Sequence, residues 1–288
     1  WELGKNNSMV IHLTLLPYLS SSGELKTKPS QHSVRQLMES GIQADVLVCR
    51  TEHSIPKDLR AKLAQFCNVG LDNVIECIDM DTIYEVPLYL QKQNFDEVVL
   101  KELNLPVGKD VNLKDWKSFL KKYKNPKKSV EIALVGKYVS LQDSYKSIAE
   151  AFIHAGADLE TEVNVRWVYS GDIETEGAEK LLKGVDGILV APGFGDRGIE
   201  GKIQAAKYAR ENKVPLLGIC LGMQIMTIEF ARNVLDLAKA NSMEFDTSTP
   251  DPVISLMEEQ KNVVEKGGTM RLGAWKCALK QGSKLAEV

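Results

Sequence analysis

Short apolar runs alternate with longer amphipathic ones along most of the chain. In the first half, residues 9–16, 45–50 and 73–78 are short, apolar and rich in branched side chains, as strands buried on both faces should be. Helical patterns follow them at 34–40, 58–66 and 94–103. The first of these stops at Gly41, a residue suited to a helix C-terminal cap, and the second opens just after Pro56. The second half repeats the alternation, with strands at 131–135, 163–169, 187–190 and 215–219 and helices at 145–155, 177–182, 202–211 and 223–234. Such alternation predicts an α/β protein with parallel sheets, right-handed crossovers and helices on both faces, hence two three-layer domains. The pattern breaks between Pro106 and Ser129, where Lys109, Lys114, Lys117, Lys121, Lys122, Lys124, Lys127 and Lys128 crowd together. This run reads as a solvated connector with a short helix around Trp116, with nucleic-acid contact as the competing reading. The predicted organisation is therefore a first domain over 1–106, a linker over 107–128 and a second domain over 129–288.

Composition narrows the class. The 288 residues suffice for two domains, and 44% hydrophobic with 26% charged residues is ordinary for a soluble globular protein. A net charge of -3 gives no overall basic excess of the kind that replaces counterions on nucleic acid. Five cysteines, an odd number without a C-x-x-C pair, argue against a disulfide scaffold or structural zinc site and for a reducing compartment, here the cytoplasm. No apolar run reaches the roughly 18–20 residues of a membrane helix. The longest candidate, 9–19, is interrupted by His12, Thr14 and Pro17. The chain opens on Trp1 rather than Met, which leads us to expect that its natural N-terminus lies further upstream.

Chemistry concentrates in two glycine-rich turns at the ends of predicted strands, Pro192-Gly193-Phe194-Gly195 and Gly218-Ile219-Cys220-Leu221-Gly222. The second has the G-x-C-x-G spacing of a nucleophile elbow, with cysteine as the nucleophile. A tight strand-to-helix turn pushes its central side chain out of the fold, often in a strained backbone conformation. Small residues two positions away on either side let neighbouring backbone pass. The N-terminus of the following helix favours thiolate over thiol. The N–H of Leu221 then points to where an oxyanion would form, and the N–H of Gly193 is a second candidate donor. Cys49, Cys67, Cys77 and Cys277 lack this setting and read as buried structural cysteines.

The segment Gly218-Ile219-Cys220-Leu221-Gly222-Met223-Gln224 resembles the nucleophile motif of class I glutamine amidotransferases, and the Gly193 loop resembles their oxyanion strand. That resemblance implies attack by Cys220 on the side-chain amide of glutamine, a glutamyl thioester and release of ammonia. Gly193, Leu221, Gly222, Met223, Gln224 and Glu244 would hold the glutamine. Other segments narrow the family. Lys26-Thr27-Lys28-Pro29-Ser30-Gln31 resembles the K-T-K-P-T-Q segment with which CTP synthases bind UTP or CTP. Two lysines at a helix start also suit a triphosphate on physical grounds. By the same resemblance Lys62 joins the UTP/CTP site, and Ile78, Asp79 and Met80 fall at the ATP site. Arg232-Asn233-Val234-Leu235, Asn241-Ser242-Met243-Glu244-Phe245-Asp246 and Gly267-Gly268-Thr269-Met270-Arg271-Leu272-Gly273 are also similar to CTP synthase stretches. One departure is Val190-Ala191-Pro192-Gly193-Phe194-Gly195, where V-P-G-G-F-G is common in the family; Gly193 is retained.

The resemblance implies a phosphate-loop-like synthetase part and a doubly wound amidotransferase part, both incomplete. It further implies amination of UTP to CTP with ATP, Mg²⁺, GTP as activator and a homotetramer, with neither nucleic acid nor membrane as partner. No G-x-x-x-x-G-K-[ST] loop occurs, no Mg²⁺ ligand is assigned in this chain, and no histidine with a Glu two residues on follows Cys220; the four histidines are His12, His32, His53 and His154. We therefore expect a chain cut at both ends and inactive alone. Two alternatives stand beside this reading: a different class I amidotransferase, which would lack the Lys26–Gln31 segment, and a non-catalytic binding or assembly module.

Overall fold

The computed structural model describes residues 2–4, 7–108, 111–193, 195, 197–256 and 276–287. They form two compact units, Trp1–Lys124 and Asn125–Val288. Each is built from parallel strands whose side chains alternate between two helix-covered faces.

In the first unit, β1 (Ile11–Leu16), β2 (Val46–Thr51) and β3 (Val74–Ile78) lie side by side in that order, all parallel. Val46, Leu47, Val48 and Cys49 are all buried, so β2 is apolar on both faces as a central parallel strand must be. Leu47 and Cys49 pack with Val34 of α1 (Lys28–Glu39) and with Leu63 and Cys67 of α2 (Lys57–Cys67). Val46 and Val48 face the other way, with Val86 and Leu90 of α3 (Val86–Gln91) and Val98 of α4 (Phe95–Glu102). α1 carries Pro29 in its first turn, and Gly41 beyond its end takes a φ of 79°, as read from the sequence. The sequence reading lacked α3 and the small antiparallel pair Tyr18–Leu19 and Glu24–Leu25.

Part of the lysine-rich run forms the helix expected around Trp116. Lys114–Lys124 forms α5, whose Trp116, Phe119, Leu120 and Tyr123 repeat at helical spacing. Trp116 Nε1 donates to the Tyr84 carbonyl at 2.8 Å, and the Tyr84 ring meets Phe119 and Tyr123 edge-on at 5.1 and 5.7 Å. The segment expected as a connector therefore includes a helix held within the first unit. The division falls between Lys124 and Asn125.

In the second unit, β4 (Lys128–Gly136), β5 (Thr161–Tyr169), β6 (Gly187–Val190) and β7 (Leu216–Gly218) form a parallel sheet in the order β5-β4-β6-β7. Leu134 and Leu189 pack with Tyr145, Ile148 and Phe152 at α6 (Lys146–Asp158). Val135, Ile188 and Val190 face the opposite layer, formed by α7 (Ser170–Glu176), α8 (Ala178–Leu182), α9 (Ile199–Asn212) and α10 (Leu221–Val234). Strand order reverses between β4 and β6, and crevices in such sheets open at the carboxyl ends beside that reversal. The turns after β4, β6 and β7 all end there.

Candidate functional site

The turn after β7 is shaped by two glycines. Ile219 N–H donates to the Val190 carbonyl at 3.1 Å, and the next residue, Cys220, takes φ 54° and ψ -106° before α10 begins. A positive φ is strained for a residue with a side chain. A Cβ at position 218 would stand 2.4 Å from the Gly222 carbonyl group, and one at 222 would stand 2.2 Å from Val190 O. Glycine is therefore required at both positions, and the strained turn leaves the Cys220 side chain exposed. Gly222 N–H donates to Ile219 O at 2.9 Å, and the N–H groups of Met223 and Gln224 return to Cys220 O at 3.0 and 3.3 Å. Leu221 is the first helical residue and has no carbonyl within the helix to accept its N–H.

The turn after β4 and the first turn of α9 bring two lysines, Lys137 and Lys202, to the same place. A Cβ on Gly193 would lie 3.6 Å from Lys202 Nζ, 3.7 Å from Leu221 Cδ2 and 3.9 Å from Lys137 Cδ. Lys202 Nζ donates to the Ala191 carbonyl at 2.9 Å, and Lys137 Nζ donates to the Gly195 carbonyl at 2.5 Å. Lys202 is completely buried. Burial pushes its ammonium down to about 8; the Lys137 charge acts in the same direction and the Cys220 sulfur opposes it. Neither lysine stood out in the sequence. A signal existed for Lys202, since Ala205, Ala206 and Ala209 follow at i+3, i+4 and i+7, and all are buried.

Among the residues assigned to glutamine, Gln224 offers a buried Oε1 that has no hydrogen-bond partner among the described residues. Met223 is exposed. Glu244 is exposed too, on a turn after the short strand Asn241–Ser242, with its N–H on Ser242 Oγ at 3.2 Å. No hydrogen bond among the described residues joins the Glu244 side chain to Cys220 or Gln224. Phe194 and the stretch 267–273 lie outside the described residues. Cys49, Cys67 and Cys77 are buried as expected, and burial pushes the Cys49 thiol up to about 12. Cys277 corrects the expectation, because it is exposed. His12 faces Ser33 Oγ at 2.9 Å and His53 meets the Tyr18 ring edge at 4.1 Å, both in the first unit, while His154 lies on α6.

The nucleotide segment sits at the start of α1. Thr27 precedes the helix, Lys28 and Pro29 open it, and Gln31 Nε2 donates to Thr27 Oγ1 at 3.1 Å. Ser30 is buried; its hydroxyl accepts from Thr14 Oγ1 at 3.1 Å and donates to Leu15 O at 3.0 Å, so it ties α1 to β1. Lys26 pairs with Glu24 at 2.8 Å and holds that carboxyl below its ordinary value, whereas Lys28 is exposed without an ion pair among the described residues. Lys62 is exposed on α2, which packs beside α1. Ile78 ends β3; Asp79 follows it, pairing with Arg50 at 2.7 Å, and Met80 is half-buried.

A doubly wound parallel sheet thus presents Cys220, at a positive φ, at a helix start beside the Gly193 turn, the arrangement expected from the resemblance to class I glutamine amidotransferases. The family model described as glutamine amidotransferase class-I matches residues 140–287, and the one described as CTP synthase N-terminus matches residues 1–105. The CTP synthase of Flavobacterium johnsoniae is 61% identical over 280 residues, covering 97% of this chain and 52% of the relative. That of Caldanaerobacter subterraneus subsp. tengcongensis is 57% identical over 287 residues, covering 100% of this chain and 53% of the relative. A solved structure of the Trypanosoma brucei CTPS glutaminase domain with bound acivicin is 36% identical, covers 49% of this chain and 60% of that one, and superposes with a TM-score of 0.44. The chain belongs to the CTP synthase family, and it spans about half the length of the curated relatives it matches.

Proposed function

We propose that this chain is part of an enzyme that aminates UTP to CTP at the expense of ATP, with ammonia drawn from glutamine at Cys220. The observation that carries the reading is the backbone of Cys220, held at a positive φ by two glycines and placed at the start of α10. In this reading the Cys220 sulfur attacks the side-chain carboxamide carbon of glutamine and a C–S bond forms. The carbonyl electron pair moves onto oxygen, facing the N–H groups of Leu221 and Gly193. Collapse breaks the C–N bond, ammonia leaves with a proton from a general acid, and water later hydrolyses the thioester. Gln224, with its unpartnered buried Oε1, is the described group best suited to meet the amino-acid end of the substrate. Lys26, Lys28 and the start of α1 would take the triphosphate of UTP or CTP, and Asp79 borders the ATP position.

Cytoplasmic location, GTP activation and tetramer assembly belong to the same reading. No helix among the described residues is long and apolar enough to cross a membrane. The described residues bring no three His, Cys, Asp or Glu side chains together as metal ligands.

A chloroketone analogue of glutamine tests the reading. We expect peptide mapping to find Cys220 alkylated well ahead of Cys277, the other exposed cysteine, and we expect glutamine to slow only the Cys220 reaction. Equal labelling of the two, indifferent to glutamine, would remove Cys220 as the nucleophile.

A further inference from the structure

The Gly193 turn is the proposed second half of an oxyanion hole, yet it is an irregular segment that must present an N–H group at a fixed place. Two carbonyls that flank Gly193 accept from lysines. Lys202 Nζ reaches the Ala191 carbonyl at 2.9 Å, and Lys137 Nζ reaches the Gly195 carbonyl at 2.5 Å, so an ammonium grips the turn on each side of Gly193. Both lysines are buried, Lys202 completely. Lys202 Nζ is also the nearest described atom to the space beside Gly193 Cα. We infer that Lys202, assisted by Lys137, is a positioning residue that locks the Gly193 turn with its N–H toward the Cys220 sulfur and adds positive potential where the oxyanion forms. Buried cations beside a developing negative charge are effective because little water screens them. The titratable groups facing Lys202 are Lys137, at the end of β4, and Cys220, at the start of α10.

The inference rests on Cys220 being the glutaminase nucleophile, and its test separates the two. The chain is alkylated with the glutamine chloroketone and, separately, with iodoacetamide. Both reactions form a C–S bond and expel halide, but only the chloroketone has a glutamine-like end to seat its carbonyl oxygen in the proposed hole; iodoacetamide has no such anchor. The ratio of the two rates at Cys220 cancels the sulfur's own titration. We expect K202M, a neutral replacement of similar length, to lower that ratio about tenfold or more, whatever the loss of its charge does to the iodoacetamide rate alone. We also expect the parent ratio to fall as pH rises through about 8, and that step to vanish in K202M. Loss of packing alone would not produce a pH step confined to one reagent. An unchanged ratio in K202M overturns the inference while leaving Cys220 as nucleophile. Should K202M fail to fold, K137M carries the test, and an unchanged ratio there overturns the inference equally. Absence of preferential chloroketone labelling in the parent chain overturns both readings.

Discussion

A lysine ammonium ordinarily keeps its charge in water, and Lys202 is instead enclosed by α9, the Ala191 carbonyl and the Gly193 turn. Enclosure has a thermodynamic signature. The Lys202 ammonium titrates near 8 rather than at the ordinary 10.5, so between those values the unfolded chain binds the additional proton. Stability contributed by this group therefore rises with pH across that window, by up to roughly 3 kcal/mol. We expect the parent chain to gain about that much relative to K202M in denaturant unfolding as pH is raised from 8 to 10.5. A constant difference would show that the ammonium is hydrated in the folded chain. Single residues also show what was legible in the sequence. Cys220 was legible because a strand, a helix and two glycines bracket it at a spacing that only close backbone approach explains. Lys202 was not, because a lysine early in a helix ordinarily reads as solvent-exposed. Only the small-residue face of Ala205, Ala206 and Ala209 marks its side as buried. Cys277 was misread as buried, because a lone cysteine carries no local signal of exposure.

Elements were legible where burial on both faces leaves a continuous apolar run, as in β2, or where a helical stripe repeats, as in α10. Short elements fixed by distant neighbours were not. α7 has Ile173 as its single strongly apolar residue, and it is set by α9, whose Gly201 leaves no room for a Cβ beside the Ser170 carbonyl. α3 has Pro87 in its first turn, which reads as a breaker rather than a start. At the scale of one helix the start of α1 makes a prediction. Lys26 spends part of its charge on Glu24, and Ser30 is committed to β1, which leaves Lys28 and the unpaired N–H groups of the first turn for an anion. Lys28→Ala should weaken UTP or CTP binding about threefold to fivefold, a contribution near 1 kcal/mol for an exposed charge at a helix start, and added salt should narrow the difference. Calorimetry giving the same isotherm for both proteins would take Lys28 out of the nucleotide site.

At the scale of the whole molecule, the two units have separate cores, and in the proposed reading each would contribute to one reaction. In that reading the second unit supplies Cys220 as the nucleophile, the Gly193 turn to hold an oxyanion, and Lys137 and Lys202 bonded to the carbonyls that flank it. It also needs a group that protonates departing ammonia and activates water against the thioester, and in cysteine–histidine systems one imidazole does both. No histidine follows Cys220 in the sequence, and three of the four lie in the first unit. Lys202 does not fill that role, because its ammonium is held on the Ala191 carbonyl and sealed from water. General acid–base help is worth about 10²–10⁴-fold. Alkylation of Cys220 does not require it, since halide leaves without a proton, whereas turnover of glutamine does. The chain should therefore react stoichiometrically with the chloroketone yet release ammonia from glutamine at about 10²-fold or more below a CTP synthase relative of full length assayed beside it. A comparable rate of ammonia release would mean that a residue already present acts as the base. His154 on α6 would then be the first to replace, because it is the one histidine in the same unit as Cys220.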